Sequence, residues 1–129
     1  MRQAGSAAAG CLYALDHHVE RLAEDHANAR RLADGLNGVR GIEVITKEPA
    51  TNIAFSDPAA TGLSPESLLA ELLSRRVRMG QLRGVIRAVT HLDVSQADID
   101  ATILAIRAIA QAPLTSFARV ERDARGHGY

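Results

Sequence analysis

Apolar residues recur at alternating steps of four and three through the first 37 residues, which is the pattern of one helix face. The residues on that face are Leu15, Val19, Leu22, His26, Ala29, Ala33 and Leu36. We therefore predict a long N-terminal helix over residues 1–37. A joint is expected at residues 16–18, where Asp16 suits an N-cap. Asn37 and Gly38 then end the helix, because both tolerate the left-handed backbone of a C-cap.

Beyond Gly38 the apolar period shortens to two, which indicates strands. Two short strands are predicted over residues 42–46 and 52–56, and two more over residues 77–81 and 85–90. Leu82-Arg83-Gly84 forms the turn between the second pair.

Two helices separate and follow these strand pairs. Ser64 followed by Pro65 is a helix start, and that helix extends to residue 75 or 76. Ser95 with Asp98 three positions on starts the last helix, which Pro113 stops.

This order of elements predicts an α+β fold. A long N-terminal helix is followed by a small sheet of about four strands packed against two further helices. We divide the chain into the helix of residues 1–37, a small α+β domain of residues 38–112 and a flexible tail of residues 113–129. The sequence contains neither a phosphate-binding loop nor a glycine dinucleotide motif.

Composition narrows the possible functions. The chain has 129 residues, and its 15 basic and 15 acidic side chains give a formal net charge of zero. Proteins that bind nucleic acids or membranes by charge need a basic excess, so neither partner is expected. The single cysteine, Cys11, excludes an intramolecular disulfide and a thiolate zinc cluster. No apolar run approaches the roughly 18 residues that span a bilayer. The segment before Cys11 is too short and too weakly apolar for a signal peptide. We expect a cytoplasmic protein.

Histidines raise the question of a metal site. His17, His18 and His26 lie near Glu20 and Asp25, but the residues one turn beyond His17 and His18 are Arg21 and Leu22. His26 lies two turns further on, in the apolar stripe. We therefore predict no metal site.

A second histidine lies two residues from an aspartate at a strand end. His91 and Asp93 could form half of a catalytic dyad. No serine or cysteine nucleophile is placed with them, so we expect them to stabilise the strand-to-helix corner.

Arg87 interrupts the apolar run Val85-Ile86-Arg87-Ala88-Val89. A desolvated arginine is costly unless it meets an anion, and its planar fork suits a carboxylate. Alternatively, strand alternation places Arg87 on the wet face of a half-buried sheet. Pattern alone leaves both interpretations open.

Several blocks of this chain resemble the low-specificity L-threonine aldolases. They extend in order over about residues 1–110, and they are Met1–Gly5, Ala7–Gly10, Leu12–His26, Ala29–Ala33, Thr51–Ile53 and Arg87–Ser95. The resemblance implies a pyridoxal-phosphate (PLP) lyase of the aspartate-aminotransferase-like fold. Such an enzyme cleaves L-threonine or allo-threonine to glycine and acetaldehyde. The matched blocks correspond to the small C-terminal domain of that family and the helix leading into it.

The resemblance also implies roles for single residues. Arg87 matches the arginine that binds the substrate carboxylate. Arg2 matches an arginine near the cofactor phosphate, although the glycines that normally precede Met1 are missing. Lys47, the only lysine, does not match the lysine that holds the cofactor, which in the family lies upstream. Met1 thus resembles an internal methionine of a longer ancestor. We expect that the chain alone binds no PLP and has no catalytic residue of its own.

Two other hypotheses follow from the same observations. The chain could be a non-catalytic assembly module, in which the Ala-rich helix packs against a large domain or another subunit of a homo-oligomer. It could also be one half of a split enzyme that a separately encoded N-terminal part completes.

Overall fold

A computed structural model of the protein describes residues 3–112, which form four α-helices and four β-strands. In chain order they are α1 (Ala4–His17), α2 (Leu22–Leu36), β1 (Glu43–Val44), β2 (Ile53–Asp57), α3 (Pro65–Ser74), β3 (Gly80–Leu82), β4 (Val85–Val89) and α4 (Gln96–Gln111). A short 3-10 helix, Ala59–Thr61, precedes α3. The predicted α+β class is confirmed. Arg2 and the predicted tail of residues 113–129 lie outside the described residues.

The N-terminal helical segment consists of two helices rather than one. α1 ends at His17, close to the predicted joint, and α2 begins after residues 18–21. The predicted N-cap at Asp16 is wrong, because Asp16 lies inside α1. Arg21 occupies the N-cap of α2, and its side chain makes no capping hydrogen bond. Instead, Arg21 reaches forward one turn and binds the carboxylate of Asp25 at 2.9 Å.

The buried face of this segment also differs from the prediction. None of the residues of α1 is buried, and Leu15, Val19 and Leu22 are all about half exposed or more. The buried residues of α2 are Asp25, Asn28, Ala29, Leu32, Ala33 and Leu36. The face is therefore rotated toward Asp25 and Asn28, two polar residues that apolar periodicity does not count.

The four strands form one antiparallel sheet in the order β1-β2-β4-β3. Helices α2, α3 and α4 cover one face of it, and the other face is open. Burial alternates along β2 and β4, as a half-buried sheet requires. The core lies between the sheet and the helices, and it consists mainly of aliphatic residues such as Leu32, Leu68, Leu72, Ile86 and Ile109.

Local capping and turn chemistry fixes the later elements. The Ser64 side chain accepts a hydrogen bond from the Ser67 amide, and Ser95 forms a complete capping box with Asp98, so both predicted helix starts are confirmed. Arg83 and Gly84 both have positive φ, 52° and 84°, as a two-residue type I′ hairpin requires. The β3 strand starts later than predicted, since residues 77–79 approach the sheet without joining it.

Helices α2 and α4 cross closely at Gly35. A Cβ built on Gly35 would lie 2.9 Å from Cγ1 of Ile103, so only glycine fits without a shift of that side chain. Arg107 of α4 donates a hydrogen bond to the Gly35 carbonyl at 3.0 Å. Across residues 3–112, no helix has both the length and the apolar character needed to cross a membrane.

Candidate functional site

The open face of the sheet centres on Arg87. Strand alternation turns Ile86 and Ala88 into the core and leaves Arg87 exposed on the opposite side. In the register of the sheet, Arg87 lies directly between Phe55 of β2 and Gly80 of β3. The open face thus places one guanidinium in the middle of three strands.

The surroundings of Arg87 on this face are largely apolar. Ile53 and Phe55 are half-buried, whereas Leu82 and Val89 are 48% and 40% exposed. Gly80 has no side chain, and a Cβ there would meet only the Arg87 carbonyl oxygen at 3.8 Å. Space therefore remains beside Arg87, within an apolar surface that the described residues leave uncovered.

Arg87 makes no ion pair with any carboxylate in residues 3–112. Its five N–H donors are therefore available to a ligand, and a carboxylate can meet two of them in parallel. In the structure of this chain, Arg87 lies on the solvent-exposed face of the half-buried sheet. The anion-binding interpretation stays a prediction, since it requires the open face to be covered.

Polar side chains at the end of β4 hold the strand that carries Arg87. The Thr90 hydroxyl donates to the backbone carbonyl of Asp25 at 2.6 Å, and the Asn52 side chain donates to the Thr90 carbonyl at 2.7 Å. The Asn28 side chain donates to the carbonyl of Val94 at 3.0 Å. These bonds tie β4 to β2 and to α2. Apolar periodicity does not identify any of these side chains. Their only sequence signal is that they lie within or next to the blocks that resemble the aldolase family.

His91 and Asp93 form a local turn after β4. The backbone amide of Asp93 donates to Nδ1 of His91 at 3.3 Å, and the Asp93 carboxylate lies 3.8 Å from the same nitrogen. Both side chains are exposed, at 57% and 85%.

The other histidines among residues 3–112 lie on α1, directly after it, and on α2. The ring of His17 stacks on that of Tyr13 with a centroid distance of 4.1 Å, and His18 approaches the edge of the same tyrosine. His26 lies half-buried on α2. Over the part of the chain that the structure describes, no three metal-ligating side chains come together.

Two residues that bear on cofactor chemistry remain. Arg2, the predicted phosphate contact, is outside the described residues, so the prediction stays open. Lys47 is exposed in the connection between β1 and β2.

Hydrogen bonds shift the pKa of several exposed acidic groups. The Ser95 side chain and amide hold the pKa of Asp98 below its usual value. Gln81 on β3 donates to Glu66 on α3 at 2.8 Å and is the main cause of the lowered pKa of that carboxyl. Arg31 grips Asp100 with two bonds, at 2.7 and 2.9 Å, which lowers the pKa of Asp100 and raises that of Arg31. These groups stabilise helix ends and contacts between elements.

Known proteins share much of this sequence. Residues 1–61 match the model of the beta-eliminating lyase family. The chain is 36% identical over 99 residues to a low specificity L-threonine aldolase of Escherichia coli K12, which covers 77% of this chain and 28% of that protein. It is 34% identical over 107 residues to low-specificity L-threonine aldolase 1 of Arabidopsis thaliana, covering 80% of this chain and 29% of that protein. The match thus spans less than a third of these relatives.

Proposed function

Because this chain carries a threonine aldolase-like domain, we propose that it forms the small domain of a PLP-dependent lyase in which Arg87 binds the substrate carboxylate. The reaction of that lyase is the retro-aldol cleavage of L-threonine or allo-threonine to glycine and acetaldehyde. The part of the enzyme that breaks the carbon–carbon bond lies outside these 129 residues.

One observation carries the proposal: an arginine with no carboxylate partner among the described residues stands in the middle of an open, largely apolar sheet face. An exposed arginine alone is ordinary. Here, however, the neighbours of Arg87 on this face include Ile53, Phe55 and Val89, which are usually covered in a folded enzyme, while Asp57 lies further along β2 on the same face.

Covering this face would make Arg87 an effective clamp. Removal of water lowers the local dielectric, which strengthens the attraction between the guanidinium and a carboxylate. The planar fork then fixes the plane of the carboxylate as well as its position. Gly80 leaves the space that the ligand needs next to that fork. The role of Arg87 is therefore to bind and orient the amino acid.

The described residues do not fit the cofactor. PLP supplies an electron sink to such lyases when it is bound through a lysine amine. Lys47 is the only lysine, and it is exposed in the connection between β1 and β2. We infer that this amine comes from outside residues 1–129 and that the chain alone does not catalyse the reaction.

A spectrum of the isolated chain with PLP tests this inference. A cofactor bound to a lysine absorbs at roughly 420 nm. We expect the chain mixed with PLP to absorb there no more than a lysine-free peptide mixed with PLP. A saturable band that Lys47→Ala abolishes would contradict the inference.

The exposed apolar residues of α1 support contact with another part of the enzyme. Leu12 and Leu15 lie one turn apart and are 62% and 64% exposed, and no residue of α1 is buried. The relatives are longer than the matched segment, and their remaining part would contain the catalytic machinery. We assign the exposed surface of α1 to contact with that part. Alone, two copies of the chain would cover each other through it.

Light scattering at increasing concentration tests this assignment. Wild type should self-associate, and Leu12→Ser with Leu15→Ser should weaken the association. The control is Leu104→Ser on α4, where the leucine is equally exposed at 64%. A wild-type chain that stays monomeric at high concentration, or equal effects of both changes, would contradict it.

A chimaera tests the function itself. Residues 1–110 of this chain would replace the matching region of the E. coli aldolase. The chimaera should cleave L-threonine, and Arg87→Gln should lower kcat/KM by roughly 30-fold or more, because breaking a desolvated charge pair costs about 2–5 kcal/mol. Arg83→Gln, in the exposed hairpin turn, is the control with the same loss of charge. A PLP-loaded chimaera whose activity does not respond to Arg87→Gln would refute the assignment.

A further inference from the structure

A cavity of about 470 Å³ lies on the helix-covered side of the sheet, whereas Arg87 lies on the open side. Its walls are the start of α4, the end of β4 and the connection from α3 to β3. Apolar side chains line its inner part, among them Val77, Met79, Ala88 and Ile99. The volume falls within the range of small-molecule pockets, which is roughly 300–1,000 Å³.

Three arginines line the cavity within four positions of the chain. Arg75, Arg76 and Arg78 are all exposed, and none of them forms an ion pair with a carboxylate in residues 3–112. Arg75 is the C-cap of α3, and Arg76 and Arg78 alternate with Val77 and Met79, which pack against the core. The rim of the cavity is thus cationic while its inner wall is apolar.

The two acidic residues of the lining reduce the positive charge at the rim but form no ion pair with its arginines. The Asp98 carboxylate is engaged by Ser95, whose amide and hydroxyl donate to it at 2.9 and 2.6 Å. Asp93 lies beside His91. Neither carboxylate pairs with one of the three arginines.

Arg76 occupies a backbone position where glycine is favoured. The amides of Arg76 and Val77 donate to the carbonyls of Leu73 and Leu72, both at 2.9 Å, which is the Schellman ending of α3. Its central residue requires the left-handed region, and Arg76 adopts it with φ of 63°. The chain therefore holds a charged side chain at the cavity at a conformational cost.

We propose that this cavity binds a small organic anion, with its carboxylate or phosphate group on the arginine rim and its apolar part against the inner wall. A carboxylate and a phosphate share the acceptor geometry that a guanidinium fork recognises. The proposal does not depend on the proposed function, since it uses neither Arg87 nor the cofactor.

Titration calorimetry of the full chain separates the chemical classes. Hexanoate and hexyl phosphate carry both an anion and an apolar chain, whereas hexanol is neutral and inorganic phosphate has no chain. At least one of the first two should bind roughly tenfold or more tightly than either control compound, and their ratio distinguishes carboxylate from phosphate. No saturable binding below about 10 mM, or equal affinity for inorganic phosphate, would overturn the proposal.

Two arginines at left-handed positions provide a matched pair of variants. Arg76→Gly and Arg83→Gly each remove one charge and relieve a positive φ, but Arg83 does not line the cavity. Arg76→Gly should weaken anion binding about five- to tenfold without lowering the melting temperature, and Arg83→Gly should leave the affinity unchanged. Arg78→Gln should repeat the loss. Equal effects of Arg76→Gly and Arg83→Gly, or no loss in Arg78→Gln, would overturn the proposal.

Discussion

The hydroxyl of Thr90 donates a 2.6 Å hydrogen bond to the backbone carbonyl of Asp25, 65 residues earlier in the chain. This bond joins the end of the strand that carries Arg87 to the first turn of α2. Thr90 is only 2% exposed, so its hydroxyl needs a partner within the protein, and this bond supplies one. The position of the candidate site in the fold thus depends on a buried polar contact.

Thr90→Val should destabilise the protein by about 1 kcal/mol, because the shape is kept while the buried hydrogen bond to the Asp25 carbonyl is lost. Urea unfolding measures the change. Thr51→Val is the control, since Thr51 is exposed and its loss should change the unfolding free energy by no more than about 0.5 kcal/mol. Equal stability of the two variants would show that the bond contributes nothing.

Gly35→Ala should destabilise the α2–α4 crossing by about 1–3 kcal/mol, although alanine favours helices, because the added methyl overlaps the Ile103 side chain. Thermal or urea unfolding measures the loss.

Gly10→Ala is the control for Gly35→Ala. Gly10 lies in exposed α1 with nothing within 4 Å of an added Cβ, so this change should not destabilise and can gain up to about 1 kcal/mol of helix stability. Ile103→Val removes the overlapping end of the side chain and should recover part of the Gly35→Ala loss. A Gly35→Ala variant as stable as Gly10→Ala would mean that the crossing is loose.

The capping box of α4 should make stability depend on acid pH. The pKa of Asp98 is lowered in the folded state, chiefly by the Ser95 side chain. Between the lowered pKa of Asp98 and its ordinary value of about 4, the unfolded chain therefore binds more protons than the folded one. Stability consequently rises with pH in that window. The contribution is fully present above it and is lost as the pH falls through the folded pKa.

Urea unfolding between about pH 2 and 6 tests the capping box. Asp98→Asn removes the titrating group, and Ser95→Ala keeps the group but removes the main cause of its lowered pKa. Both variants should show a smaller change in unfolding free energy with pH than wild type. A wild-type slope in either variant would contradict the role assigned to Ser95 and Asp98.

Helix starts were predictable where capping chemistry is local. Ser64 and Ser95 specify α3 and α4 through side-chain bonds to amides three residues away. The start of α2 has no such signal, because Arg21 makes no cap, and the predicted N-cap at Asp16 is wrong.

The buried face of α2 was not predictable from apolar spacing. Asp25 and Asn28 are buried because distant groups bind them or their backbone, and those partners come from the end of β4 and the connection to α4. Conversely, Leu12 and Leu15 have the apolar character of core residues and are exposed. Periodicity indicates that such residues share a face, but not whether this chain covers it.

The same reason limits what pattern reveals about Arg87. Alternation along β4 correctly assigns Arg87 to the face opposite Ile86 and Ala88. Whether that face meets water or a second domain depends on residues beyond the strand. The register that places Phe55 and Gly80 beside Arg87 comes from strand pairing, which the sequence does not specify.

The most direct measurement of the central claim uses the chimaera with the E. coli aldolase and compares L-threonine with L-threonine amide. If Arg87 binds the substrate carboxylate, wild-type kcat/KM should favour threonine, and Arg87→Gln should reduce that preference by roughly tenfold or more. Arg83→Gln should keep the wild-type preference. An Arg87→Gln chimaera that loads PLP and still prefers threonine over its amide as strongly as wild type would contradict the account.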